Sequence, residues 1–268
     1  MYRFYKLLLV ILLLFTSCEE VIDVELDKTE PRLVIEASLI WLKGSAGSTQ
    51  EIKLSQTTPF YNRERLPVTD ANIMVTNCNN DIFLFTHTEN GIYKNENFQP
   101  QIEMKYQMEL EYNGDLYTAS EVLQSVSEID YVEQLNSGGF AGDEIEIKAY
   151  YTDPVETEDF YLFKFEDEDL SLEIYEDEFT NGNQIFGYYS TEDIKSGNDI
   201  LIQMEGISKD YYNYLFILRS QVGTGNGGPF ETMPATVKGN IINQTRPENY
   251  PFGYFRLSEA DAIIYNVE

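Results

Sequence analysis

Apolar and polar residues alternate with a period of two through much of this chain, and runs of Asn, Gly and Asp interrupt the alternation. Residues 32–40 (RLVIEASLI) put Leu33, Ile35 and Ala37 on one face, the pattern of a half-buried strand. Comparable runs follow at 50–57 (QEIKLSQT), 71–76 (ANIMVT), 82–86 (IFLFT), 91–95, 105–112 (KYQMELEY) and 116–122. Asn79-Asn80-Asp81, Asn90-Gly91 and Asn113-Gly114-Asp115 separate several of them, and Asn-Gly between alternating runs is a strong hairpin signal. Seven short strands in this order predict a Greek-key β-sandwich of immunoglobulin-like type over residues 32–124.

Residues 125–142 read as a connector, with Gly138-Gly139 and Gly142 near its end. A second β-rich module is predicted over 143–268, with strands at 144–151 (EIEIKAYY), 160–165 (FYLFKF), 170–175, 184–189 and 199–205. The period then changes. Ile207, Tyr211, Leu215, Leu218 and Val222 recur at helical spacing, while Tyr212, Phe216 and Ile217 widen the apolar surface. Ser208 can cap this helix of residues 208–222, Asp210 complements its N-terminus, and Gly223 can close it. A helix so apolar is expected to pack on the sheet. One strand is predicted near 236–241 and two more at 254–257 and 262–267, which makes the fold class mainly β with one packed helix.

The N-terminus obeys a different pattern. Arg3 and Lys6 precede nine apolar residues, Leu7 to Phe15, then Thr16, Ser17 and Cys18. This is the layout of a secretory signal peptide over 1–17. As a helix the apolar run reaches only about 14 Å, too short for a hydrocarbon core of about 30 Å. The cysteine at the cleavage point resembles the lipobox of bacterial lipoproteins, in which the thiol is acylated. The other reading is an ordinary signal peptide with an incidental Cys18. Residues 18–31 (CEEVIDVELDKTEP) then form an acidic tether.

Charge narrows the partners. The formal charge is −28, and removal of 1–17 takes away two bases and no acid, leaving −30. Such a field repels nucleic acid and anionic lipid. It suits a solvated surface, a cation-rich setting or a basic partner. With Cys18 acylated, Cys78 has no partner for a disulfide, and it reads as a buried, inert thiol.

Candidate chemistry is sparse. His87 is the single histidine, so any Ser-His-Asp or Cys-His mechanism must use it, and its place between Thr86 and Thr88 suits a surface residue. Zinc sites built from several His or Cys are excluded by count. Glu166-Asp167-Glu168-Asp169 reads as a polar hairpin turn; with Glu156, Glu158, Asp159 and Glu176-Asp177-Glu178 it could ligate Ca²⁺, but the D-x-[DN]-x-[DN]-G spacing is missing. The run Gly223-Thr-Gly-Asn-Gly-Gly228 follows a helix instead of opening one and lacks a Lys-Ser/Thr sequel, so a partner-contacting loop is expected and a phosphate site is not. Gly223, Gly225, Gly227, Gly228, Pro229 and Phe230 are its candidate contact residues, with the Gly44–Gly47 turn and residues 60–67 as candidates in the first half. Trp41 and the exposed tyrosines could stack on sugar rings beside carboxylates. No enzyme and no cofactor is expected.

Several stretches together resemble a known family: Cys18-Glu19-Glu20 with Ile22-Asp23 and Leu26; Arg32-Leu33-Val34-Ile35-Glu36; Pro67-Val68 with Asp70-Ala71; and Gly91-Ile92-Tyr93. The helix from Tyr211 to Gln221, Pro229-Phe230 with Pro234, Gly239-Asn240-Ile241, and Gly253-Tyr254-Phe255 with Ser258 complete the set. In this order they resemble the Bacteroidota lipoprotein family of domain of unknown function 4249. The resemblance implies an outer-membrane lipoprotein of two β-rich parts, often encoded beside a TonB-dependent receptor, with no established reaction. It also implies that Glu19, Glu20 and Asp23 address the protein to the cell surface; a periplasmic face is the alternative. The expected function is a non-enzymatic accessory of an outer-membrane β-barrel in nutrient capture or envelope assembly. The alternative is a stand-alone glycan- or peptide-binding lipoprotein.

Overall fold

A computed structural model describes residues 30–59, 64–139, 142, 144–191, 193–222 and 236–268. The first half supplies β1 (Leu33–Leu42), β2 (Gln50–Gln56), β3 (Leu66–Pro67), β4 (Asn72–Asn77), β5 (Ile82–His87), β6 (Ile92–Asn95), β7 (Lys105–Tyr112) and β8 (Asp115–Val122). The second half supplies β9 (Ile129–Gly138), β10 (Glu144–Thr152), β11 (Phe160–Glu166), β12 (Leu170–Glu176), β13 (Gln184–Thr191), β14 (Asp199–Gly206), helix α1 (Lys209–Val222), β15 (Ile242–Asn243) and β16 (Phe252–Asn266). The protein is mainly β, with sandwich-like sheets and one helix among the described residues.

A large sheet runs in the order β12-β11-β14-β16-β1-β2-β6-β5-β4-β7-β8-β15, with β3 added beside β2. Only two residue pairs, Thr86 with Lys94 and His87 with Tyr93, join β5 to β6. Strands on the two sides of that short join share one core, built on Ile35, Leu54, Val75, Phe85, Tyr106 and Met108. The first sandwich therefore encloses the inward residues that alternate along each strand.

A small sheet, β13-β10-β9, closes a second core. Its inner residues Ile147, Ala149, Tyr151 and Tyr189 pack on Tyr161, Phe163 and Phe165 of β11 and on Ile200, Ile202 and Met204 of β14. Gly187 of β13 makes this close: a Cβ there would lie 2.6 Å from the Phe163 ring. The other face of β11 is covered as well, since Phe160 and Leu162 pack with Leu215, Tyr211 and Tyr212 of α1. Burial on both faces explains why Phe160 to Phe163 reads as an unbroken apolar run. Ser208 caps the helix, its Oγ accepting from Tyr211 N at 3.3 Å.

Three differences from the sequence pattern have physical causes. Residues 125–142 contain β9, which hides in the sequence because Asp130, Glu133, Gln134 and Asn136 break up its apolar positions. The strand expected near 236–241 is irregular, and the two-residue β15 follows it. The two expected terminal strands are one strand of 15 residues. Its first part pairs in parallel with β1 and contributes Phe255 and Leu257 to the first core. Its later part pairs antiparallel with β14 and brings Tyr265 to the second.

The start of β16 accounts for two sequence signatures. Gly253 has φ +103° and faces Ile35; a Cβ would lie 2.0 Å from the Ile35 carbonyl oxygen. Gly239 lies against the Gly253 carbonyl just as closely. Asn240 then clamps the strand, donating to the Phe255 carbonyl at 2.8 Å and accepting from Phe255 N at 3.0 Å. No helix among the described residues is long and apolar enough to cross a membrane.

Candidate ligand-binding face

The outer face of the small sheet carries an ordered row of rings. Pleating sends Ile147, Ala149 and Tyr151 inward and leaves Lys148 and Tyr150 outward on β10. Tyr150 is paired with Tyr131 of β9 on one side and Phe186 of β13 on the other. The Tyr131 and Tyr150 rings stack at 4.6 Å and 13°, and Phe186 tilts against Tyr150 at 5.1 Å. Tyr131 and Phe186 remain 47% and 37% exposed, so the row is a surface rather than a buried seam. Three neighbouring strands space such rings at about 4.8 Å, a span of roughly 10 Å.

Polar groups border the row on both sides. Along one edge Asp130 Oδ2 accepts from Thr152 Oγ1 at 2.8 Å and Gln184 Nε2 at 2.7 Å. Along the other, Tyr150 donates its hydroxyl to Glu133 at 2.9 Å, which pushes the phenol's ionisation up. Lys148 sits 5.0 Å from the Phe186 ring centroid and pairs with Glu146. Aromatic faces with fixed carboxylate, amide and ammonium groups beside them can hold a ligand with apolar faces and a polar rim.

The sequence-predicted candidates among the described residues fall elsewhere. Cys18, Glu19, Glu20 and Asp23 lie outside the described residues, as do Gly223, Gly225, Gly227, Gly228, Pro229 and Phe230. His87 is exposed and meets the edge of the Tyr93 ring at 5.3 Å. Cys78 is exposed, not buried as its sequence context suggested. Asn77 causes this, because its Oδ1 accepts from Asn79 N at 3.0 Å and Asp81 N at 2.9 Å and folds residues 77–81 into an outward turn. Trp41 is half-buried against the first core and donates Nε1–H to the Ser45 carbonyl at 3.0 Å, away from this face. Glu166 to Asp169 make the tight β11–β12 turn, with Asp167 Oδ1 accepting from Asp169 N at 2.9 Å.

The comparisons with known proteins give the chain its relatives. The family model described as "Domain of unknown function (DUF4249)" matches residues 19–263. The chain belongs to that family. The matched stretch includes Tyr131, Tyr150 and Phe186 of the candidate face and, apart from Tyr265 and Val267, the residues of both cores. No curated protein matches the chain. Among solved structures, a two fibronectin type-III domain segment of chicken tenascin is similar at 9% identity and a TM-score of 0.21, over 66% of this chain and 91% of that one. A DUF4785 family protein of Legionella pneumophila aligns at 10% identity and TM-score 0.24, over 68% of this chain and 54% of that one. The chicken interferon gamma receptor alpha chain aligns at 11% identity and TM-score 0.21, covering 66% and 89%.

The rings Tyr131, Tyr150 and Phe186 escape a sequence reading because only strand pairing unites them. The one local signal is the outward Tyr150 in EIEIKAYY, which alternation alone assigns to the face opposite Ile147.

Proposed function

We propose that this DUF4249 protein is a non-enzymatic binding lipoprotein of the outer membrane, anchored through acylated Cys18. It captures a ligand on the outer face of β9, β10 and β13 for a partner β-barrel of the TonB-dependent receptor class. The ring row of Tyr131, Tyr150 and Phe186 carries the binding role. The anchor is supported by the apolar run ending at Thr16-Ser17-Cys18 and by a family match that begins at residue 19. Glu19, Glu20 and Asp23 support an outward-facing location. The exposed Phe216, Ile217 and Leu218 lie in the second half of α1, a few residues before the 223–230 segment, and support that end as the partner contact.

The ligand class best suited to the ring row is a glycan, whose apolar faces stack on tyrosine and whose hydroxyls find Asp130, Gln184 and Glu133. Catalysis is not assigned: His87 ends β5 and Cys78 lies in the turn between β4 and β5, and neither has a base or acid partner among its described contacts. A second reading, stand-alone glycan capture without a barrel, is favoured by the same row.

Affinity purification of the lipidated full chain from mildly solubilised membranes, followed by mass spectrometry, tests the proposal. A stoichiometric outer-membrane barrel is expected. Recovery of the lipoprotein alone, with glycan binding intact on an array, would favour the stand-alone reading. Loss of both would overturn the binding role.

A further inference from the structure

Three aspartates distant in sequence converge where the small sheet meets the large one. Asp153 directly follows β10, Asp159 precedes β11 and Asp177 follows β12. One carboxylate oxygen from each lies within 4.8 Å of the others. Asp153 and Asp177 are each 2% exposed, and Asp159 is partly covered. Among the described residues, none of the three forms an ion pair with Lys or Arg.

What meets these acids is neutral. Tyr161 donates its hydroxyl to Asp153 Oδ1 at 2.5 Å and Gly182 N donates to Oδ2 at 3.0 Å. Asp159 N donates to Asp177 Oδ2 at 2.9 Å, and the Thr157 hydroxyl donates to Asp159. Burial pushes the Asp159 carboxyl up, Thr157 opposes the rise, and the charges of Asp153 and Asp177 add to it. Neutral donors satisfy single oxygens but leave the mutual repulsion of three carboxylates unscreened.

A second observation points to a missing ligand. Tyr151 is wholly buried, yet its hydroxyl has no hydrogen-bond partner. It stands two residues before Asp153, on the same face of β10. Its ring meets the edge of the Tyr161 ring at 4.7 Å, and Tyr161 itself bonds Asp153. Burial opposes ionisation of the Tyr151 hydroxyl first, followed by the charge of Asp153, with Tyr175, Asp177 and Asp159 adding to the effect. An orphaned buried hydroxyl calls for an explanation, and a cation held beside it by the three carboxylates is one.

We propose that Asp153, Asp159 and Asp177 bind a hard divalent cation, Ca²⁺ in preference to Mg²⁺, with the Tyr151 hydroxyl beside it. Ca²⁺ takes oxygen ligands at about 2.3–2.6 Å in adaptable geometry, so two oxygens on one ion can stand up to about 5 Å apart. Mg²⁺ demands about 2.1 Å and a near-ideal octahedron, which three acids from three separate strand ends are poorly arranged to give. The ion would tie β10 of the small sheet to β11 and β12 of the large one. It would also brace the Thr152 and Gln184 edge of the ring row, since Asp153 N donates to the Asn183 carbonyl at 3.1 Å. The site stands independently of what that face binds.

The test uses the full chain in detergent, stripped with EGTA and titrated with CaCl₂ by calorimetry and thermal melting. One saturable site is expected, with Kd on the order of 10⁻⁴–10⁻³ M as in extracellular modules, and a Tm that rises with Ca²⁺. Asp159→Asn keeps the Thr157 bond and relieves the repulsion. It should melt in EGTA no lower than the wild type and lose the Ca²⁺ response. Tyr151→Phe should weaken Ca²⁺ binding severalfold while keeping its ring contacts. Absence of saturable Ca²⁺ binding would overturn the site, as would an Asp159→Asn variant that melts lower in EGTA and still responds to Ca²⁺. Equal affinity for Mg²⁺ would overturn the preference.

Discussion

Arg256 Nη1 lies 2.6 Å from Glu205 Oε2, and the two side chains are 5% and 0% exposed. The pair joins β16 to β14, and Lys164 of β11 reaches the other Glu205 oxygen at 2.6 Å. Arg256 Nε donates to Ser38 Oγ of β1 at 3.0 Å, and its guanidinium lies 4.8 Å from the Tyr211 ring centroid of α1. One carboxylate thus pairs with two cations at the point where β16 leaves the first core for the second. Removing one partner strands the other in the interior, which costs about 3–5 kcal/mol. Glu205→Gln or Arg256→Met should therefore lower Tm by roughly 6–20 °C in a protein of this size. Melting followed by far-UV circular dichroism checks this, and a shift under about 2 °C, the effect of less than 1 kcal/mol, would show the pair to be dispensable.

The same pair sets a pH dependence. Burial opposes ionisation of Glu205, but Arg256 and then Lys164 outweigh it and hold the carboxyl below its ordinary value. A folded-state pKa below the unfolded value means that Glu205 contributes its full stability above the unfolded pKa of about 4.3. That contribution is lost as pH falls through the folded pKa. Asp159 and Glu121, both pushed up first by burial, act in the opposite sense. The readout is hence the difference between wild type and Glu205→Gln. Their Tm gap should narrow from about pH 6 towards about pH 3, and a constant gap would refute the linkage.

Gly253 gives a backbone prediction. Its φ is +103°, and a Cβ added there would come within 2.0 Å of the Ile35 carbonyl oxygen, which excludes any side chain without movement of β1 or β16. Gly253→Ala should destabilise by more than the ~1 kcal/mol that conformation alone costs. Gly114, with φ +78° and nothing within 4 Å of the added carbon, is the control that carries conformational strain only. Equal Tm losses in the two alanine variants would remove the steric part of the argument.

The alternating strands of the first half were legible because polar turns punctuate them and each has a single buried face. Helix α1 was legible because Ser208 and the 3.6-residue period agree. β9 was not, because IDYVEQLNSG shows one weak apolar stripe among charges, and its membership in the small sheet depends on pairing with β10. The continuity of β16 was hidden by its change of neighbour from β1 to β14, which needs the three-dimensional register. Asp159 and Asp177 stood out as acids near a possible cation, but Asp153 looked like any carboxylate at a strand end. Only tertiary structure brings it to the other two. The ring row failed for the same reason, since neither local spacing nor composition unites Tyr131, Tyr150 and Phe186.

The anchor makes a prediction about location. If Cys18 carries lipid, Cys18→Ala should move the protein from the membrane fraction to the soluble fraction. Two or more acyl chains hold far more firmly than one, at about 0.8 kcal/mol per buried CH₂. Glu19→Ala with Glu20→Ala should leave the protein membrane-bound but shield it from protease added to intact cells. An unchanged membrane fraction for Cys18→Ala would sink the lipoprotein assignment, and unchanged protease shaving would sink the address.

The ring row can be tested without unfolding the sheet, because its side chains point away from the second core. Tyr150 is the centre of the row: truncation removes the stack with Tyr131, the tilt contact with Phe186 and the bond to Glu133 together. Tyr131 is at one end of the row and contributes one stack. Tyr150→Ala should weaken glycan binding about tenfold or more, a loss of roughly 1.4 kcal/mol, while Tyr131→Ala should cost less. Tyr150→Phe should retain most affinity if the ring face does the binding, and lose it if the hydroxyl bonded to Glu133 is what orients the ligand. Glycan binding by calorimetry, paired with melting curves, separates these outcomes from general instability. If Tyr150→Ala binds as tightly as the wild type, with its melting intact, the face is a structural surface and the ligand sits elsewhere.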